Sequence, residues 1–155
     1  VRVPRPTGYV AKKELKKIPG LSQWMLLVNC LFLDRKDIKQ GAKTILTATQ
    51  MVKDGISICI FPEGTRNKTE DTFLPFHGGS FKIAEKSGCP IVPIAINNAA
   101  EIFENHFPYV KPAHVVIEYC EPIYTAELSR EEKRQLADMT FERIQETYFR
   151  NKELV

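Results

Sequence analysis

Hydrophobic positions along the chain alternate between two periods. Short apolar, β-branched runs at residues 8–11, 30–33, 56–61, 91–96 and 114–120 suit buried or half-buried strands. Between them lie stretches with helical spacing. In residues 38–53, Ile38, Ala42, Ile45, Leu46, Thr49 and Val52 recur at three and four positions and predict a helix with one apolar face. Asp37 stands where an N-cap is needed and Gly55 where the helix should close. Short helices are expected at 13–17, stopped by Pro19-Gly20, at 81–86 with Ser80 as cap, and at 97–103. Ser129-x-x-Glu132 has the form of a capping box and opens a last long helix over 130–150, with Leu136, Met139, Ile144 and Tyr148 among its apolar positions. Residues 21–28 differ from the rest. They read as a helix that is apolar nearly all round, which calls for burial, with lipid contact as the alternative. Pro93 inside the run 91–96 implies an edge strand or a bulge.

Strands alternating with helices predict an α/β fold, a single layered domain with a largely parallel sheet flanked by helices. In such sheets ligands gather at the carboxyl ends of the strands. Lys12 follows the first strand, Arg35 the second and Arg66 the third. If these strands are parallel neighbours, the three cations share one edge and form a pocket for an anion. The third strand runs straight into Pro62-Glu63-Gly64-Thr65-Arg66. Pro62 ends the ladder because it has no N–H, and Gly64 permits a sharp turn. Arg66 offers a planar donor fork suited to phosphate or carboxylate. Glu63 can accept from a substrate hydroxyl or orient Arg66, and the Gly64 and Thr65 amides can act as an anion-binding nest. The competing reading is a surface turn with a local Glu–Arg pair.

Composition narrows this only modestly. The 155 residues carry 43% hydrophobic and 26% charged side chains and a net charge of +3, ordinary for one globular domain. The charge is uneven: Arg2, Arg5, Lys12, Lys13, Lys16 and Lys17 face only Glu14 within the first twenty residues. Such a segment attracts phosphates or anionic surfaces. Nucleic-acid binding is not indicated, because basic residues are not interleaved with aromatics. Cys30, Cys59, Cys89 and Cys120 form no C-x-x-C pair, so neither zinc nor any other metal is expected. No apolar run reaches the roughly 18 residues of a membrane span.

The blocks Ala11-Lys12-Lys13-Glu14-Leu15, Leu31-Phe32-Leu33-Asp34-Arg35, Phe61-Pro62-Glu63-Gly64-Thr65-Arg66-Asn67 and Ile91-Val92-Pro93-Ile94-Ala95-Ile96 stand in this order. Together they resemble the A-K-x-E-L, second, F-P-E-G-T-R and V-P-[IV] motifs of the glycerolipid acyltransferases, the family of 1-acylglycerol-3-phosphate acyltransferase. The resemblance covers nearly the whole chain. It implies transfer of an acyl group from acyl-CoA or acyl carrier protein to a free hydroxyl of lysophosphatidate, giving phosphatidate, with no bound cofactor. It implies that Glu63, Gly64, Thr65 and Arg66 bind the glycerol-phosphate part, that Arg35 and Lys12 help to hold the phosphate, and that Pro93 shapes the acyl side as scaffold. It also implies peripheral contact with the cytoplasmic face of a membrane, through the basic start and residues 21–28. The family's N-H-x-x-x-x-D motif, which supplies the general base and its orienting Asp, does not occur in these residues. The resemblance would put it before Val1, so the chain is expected to be truncated at its N-terminal side. His77, His106 and His114 lack an Asp four or five residues on; His77 is the one near the turn. Asn29 replaces a Gly common in the second motif. A phosphate- or anionic-lipid-binding relative without catalysis, and an acyltransferase for another glycerophosphate acceptor, are the alternatives.

Overall fold

Strand β1, Thr7–Lys12, is the centre of the sheet. The computed structural model describes residues 6–34, 37–67, 69 and 72–155. A single 3-10 turn, Lys13–Lys17, follows β1 and leads to helix α1, Leu21–Leu27. The amide of Asn29 donates to the Leu26 carbonyl at 3.1 Å and that of Cys30 to Met25 at 2.9 Å, closing α1 with Asn29 at φ 60°. Asn29 is thus at a left-handed position that Asn tolerates. Asn29 also explains Gly8: a β-carbon there would lie 2.0 Å from the Asn29 carbonyl oxygen, so β1 and this corner approach as closely as they do only with glycine.

Strand β2, Leu31–Leu33, runs parallel to β1, Val10 opposite Leu31 and Lys12 opposite Leu33. Helix α2, Ile38–Lys53, crosses back, its N-terminus capped by the Asp37 carboxylate accepting from the Gln40 amide at 3.0 Å. The Gly55 amide bonds to the Val52 carbonyl and that of Ile56 to Met51, ending α2 as expected and delivering the chain to β3, Ser57–Cys59. β3 pairs parallel with the other side of β1, Thr7 opposite Ser57 and Tyr9 opposite Cys59, so the order is β2-β1-β3.

The second half departs from the parallel pattern. After a 3-10 turn at Gly78–Phe81 come helix α3, Lys82–Ser87, then β4, Ile94–Asn97, and β5, Val116–Tyr119. β4 and β5 pair antiparallel. Pro93 lies between a lone bridge, Ile91 with Ile123, and the start of β4, and its carbonyl accepts from the Cys120 amide at 2.9 Å. The missing N–H of proline is therefore accommodated at an edge strand. The Ser129 capping box is present in both directions. The helix it opens is not continuous: α4, Arg130–Arg134, breaks at Gln135, and α5, Leu136–Asn151, sets off with Leu136 buried. Leu136 packs with Phe81 and Ile123, and Phe76 and Ile91 lean on this core.

Four local expectations are corrected. α1 is not buried: Trp24 is 61% and Leu27 82% exposed, and Met25 is its one buried large side chain. Two helical turns that rest mainly on the Lys13–Lys17 turn have too little to pack against. On α2 the expected face holds at Thr49, which is buried, and at the half-buried Ile45 and Val52, but Ile38 is 88% exposed, Ala42 and Leu46 point outward, and Thr44 and Ala48 are buried in their place. Small residues let α2 approach the sheet and α3 closely. Thr44 and Thr49 can be buried because their hydroxyls donate to the Gln40 and Ile45 carbonyls at 3.0 and 2.8 Å. Ser80 lies within the 3-10 turn and does not cap α3, and the short helix expected at 97–103 is narrower, a 3-10 helix over Ala99–Ile102.

Candidate active site at the carboxyl edge of the parallel sheet

Parallel pairing brings the carboxyl ends of β1, β2 and β3 to one edge. Lys12 ends β1, exposed, level with Leu33 at the end of β2. Its neighbour Lys13 reaches across to Asp34 with Nζ 2.9 Å from the carboxylate, and that hydrogen bond raises the Lys13 pKa. Gln40 pins the end of β2 from the first turn of α2. It accepts from the Asp34 amide at 2.8 Å and donates to the Phe32 carbonyl at 2.8 Å. Arg35 lies outside the described residues.

From β3 the chain enters the Pro62–Arg66 turn. The Gly64 amide donates to the Phe61 carbonyl at 3.0 Å with Gly64 at φ 69°, a left-handed conformation that glycine adopts without strain. Glu63 is half-buried. Removal from water pushes its pKa up, while a backbone hydrogen bond from Leu74 pulls the other way. Its Oε2 is shielded from solvent and has no hydrogen-bond partner among the described residues. Such an acceptor is costly unless something donates to it. Thr65 is exposed, and so is Arg66, whose guanidinium lies 3.6 Å from the Glu104 carboxylate. Arg66 therefore pairs with a distant carboxylate, and Glu63 takes a backbone amide.

Two features of this geometry have no local signal. Glu104 sits in a 3-10 turn far along the chain, and nothing in the residues around Arg66 announces it. The support of Glu63 is also remote. Phe73 packs edge-on against Phe141 and Tyr148 of α5, ring centroids 5.8 and 5.2 Å away, and Phe76 meets Phe141 at 5.1 Å. These contacts fix the segment that carries the Leu74 amide. The sequence shows the aromatics but not their target.

His77 adjoins the turn through its backbone, its amide donating to the Pro62 carbonyl at 2.9 Å, with the ring exposed. His106 is 3.0 Å from Glu101, and Glu101 is held below the usual carboxylate range by hydrogen bonds from Asn105 and His106. His114 is exposed. The edge as a whole offers cations, a left-handed turn and one unsatisfied carboxylate oxygen, an arrangement able to bind an anion beside a hydroxyl.

The sequence model of the Acyltransferase family matches residues 1–97. The 1-acyl-sn-glycerol-3-phosphate acyltransferase of Saccharomyces cerevisiae is 30% identical over 88% of this chain and 46% of its own length. The enzyme of the same name from Borreliella burgdorferi is 32% identical over 90% of this chain and 55% of its own. The crystal structure of the 1-acyl-sn-glycerophosphate (LPA) acyltransferase PlsC from Thermotoga maritima superposes with a TM-score of 0.77 at 28% identity, covering 95% of this chain and 57% of that one. The chain spans about half the length of the curated relatives it matches. Four motif blocks in order, the parallel β2-β1-β3 edge and a family match over residues 1–97 establish that this chain belongs to the acyltransferase family.

Proposed function

We propose that residues 1–155 are an acyltransferase domain that moves a fatty acyl group from acyl-CoA or acyl carrier protein to the free hydroxyl of lysophosphatidate, producing phosphatidate. The observation that carries this reading is the strand-end edge: Lys12 ends β1, and the Glu63–Arg66 turn follows β3, which pairs parallel with β1, in a chain of the acyltransferase family. Arg66 and Lys12, with Arg35, hold the acceptor phosphate and the Thr65 amide supports it; the Gly64 amide, expected to help, is spent on the Phe61 carbonyl and holds the turn instead. The unpartnered Glu63 Oε2 accepts from the glycerol portion. A phosphate clamp fixes the acceptor so that its hydroxyl oxygen faces the thioester carbon, which removes much of the entropic barrier. The oxygen then bonds to the acyl carbon, the thiol leaves, and the hydroxyl proton is passed on. No base for that proton is assigned to a residue of this chain. Pro93 serves as scaffold. Contact with the membrane is peripheral, at its cytoplasmic face, through the exposed side of α1 and the lysines before it.

The test is phosphatidate formation from lysophosphatidate with either donor, assayed in the intact protein in which these residues occur. Replacement of Arg66 by Ala should lower kcat/KM for the acceptor roughly 10- to 100-fold, as expected for loss of a charged contact of about 1.5–3 kcal/mol. No transfer with either donor overturns the proposal; binding of lysophosphatidate without transfer would instead assign a binding module.

A further inference from the structure

A concavity with a different lining from the strand-end turn lies between α3 and α4. A pocket of about 330 Å³ is lined by Lys82 and Glu85 of α3 and by Arg130, Lys133 and Arg134 of α4. It continues into a shallower depression floored by Phe81 and Leu136. Arg130, Lys133 and Arg134 are spaced three and four apart, so they share one face of α4. Lys82 comes from the opposite wall. The one carboxylate in the lining, Glu85, is already engaged by Lys82 at 2.8 Å. Among the described residues, none of the three α4 cations forms an ion pair. Lysines and arginines on short surface helices usually spread into solvent, and only Lys133 and Arg134 stand in a last turn where they complement the helix dipole. Here four of them, from two elements, open into one concave space with an apolar floor. Their mutual repulsion is relieved by an anion, and a concave wall of one sign concentrates anions.

We propose that the α3–α4 pocket is a second anion site, separate from the Glu63–Arg66 turn, which takes a phosphate-bearing ligand. Four cations against one carboxylate suit two phosphates better than one. Gly78 lines the edge of the pocket, and the preceding residue, His77, is hydrogen-bonded to Pro62. A ligand anchored here can therefore extend toward the turn. The phosphates come either from the coenzyme head of the acyl donor, an assignment that rests on the acyl-transfer reading, or from a lipid headgroup.

The experiment titrates pyrophosphate into the full chain by calorimetry, in an Arg66→Ala background that silences the first anion site. Pyrophosphate should bind, and the triple substitution Arg130→Gln, Lys133→Gln, Arg134→Gln should weaken binding at least about tenfold. The salt dependence of binding should become shallower at the same time. Arg134→Glu alone, a single surface change, gives the same direction should the triple variant fold poorly. Coenzyme A and vesicles with or without phosphatidate identify the source. Weakened coenzyme binding with vesicle binding intact assigns the donor head, and the reverse assigns the lipid. No pyrophosphate binding, or binding unchanged in both variants, overturns the site. The readout needs no turnover, so a chain that binds here yet transfers no acyl group keeps this site and loses only the acyl-transfer reading.

Discussion

Glu63 is the residue at which folding and the proposed function conflict. Its carboxyl is held away from water, and its Oε2 lacks a partner among the described residues. Its pKa is raised by burial above the ordinary 4.5, the Leu74 amide only partly offsetting this. A raised carboxyl pKa means that the native state holds its proton longer than the unfolded chain. The resulting stability is fully present below the unfolded pKa and is lost as pH rises through the folded value; above that, ionised Glu63 is a standing cost. Glu63→Gln keeps the shape and removes the charge. The variant should melt at a higher temperature than the parent at pH 7, with the difference disappearing near pH 4, while kcat/KM for the acceptor falls about tenfold or more. Thermal melts at the two pH values and an acceptor titration check both halves. A parent and variant that melt alike at pH 7 would remove the strain from Glu63. What the sequence makes legible at this scale is local. The Asp37 cap, the Ser129–Glu132 box and the turn at Gly64 all depend on neighbours within a few residues. Glu104 against Arg66 and the Leu74 amide on Glu63 depend on how distant segments meet, and no spacing reveals them.

At the scale of the element, periodicity identifies helices but not what covers them. The face expected on α2 turns inward only in part: Thr49 is buried and Ile45 and Val52 half-buried, but Thr44 and Ala48 fit closely where Ile38 and Leu46 do not and leave those two exposed. α1 has apolar residues on every side and ends up exposing most of them. Ile18, Leu21, Trp24 and Leu27 stand out beside Lys16 and Lys17, which is the composition of a helix lying in a lipid interface. Burying Trp24 and Leu27 in that interface should contribute about 1.5–3 kcal/mol each. Replacing both with Ser should therefore weaken sedimentation with anionic vesicles by at least tenfold. The melting temperature should barely move, since exposed positions rarely change stability by more than about 0.5 kcal/mol. Unchanged vesicle binding would take α1 out of the membrane contact.

For the whole molecule, the parallel half was readable because each β–α–β step is closed by signals within it, whereas the antiparallel β4–β5 pair and the break at Gln135 answer to packing from far along the chain. That difference bears on how much of the chain the site requires. The family match ends at residue 97, yet the core does not divide there. Phe81 packs on Ile123 and Leu136, Phe73 and Phe76 rest on α5, and the buried Asn97 donates to the Tyr148 carbonyl at 2.8 Å. A chain ending at Asn97 would expose these rings and leave β4 without β5. Each large side chain so uncovered costs about 1.5–3 kcal/mol, and several together consume the 5–15 kcal/mol by which a domain is ordinarily stable. Residues 1–97 alone should thus show no cooperative melt and no near-ultraviolet dichroism, while the full chain melts in one transition. The same loss should reach the Glu63–Arg66 turn, because the Leu74 amide is held in place by α5. Amide exchange at Leu74 and His77 is the direct readout: slow in the full chain and fast in the shortened one. A shortened chain that melts cooperatively and protects those amides would make residues 98–155 an appendage and return the whole architecture of the site to the parallel half.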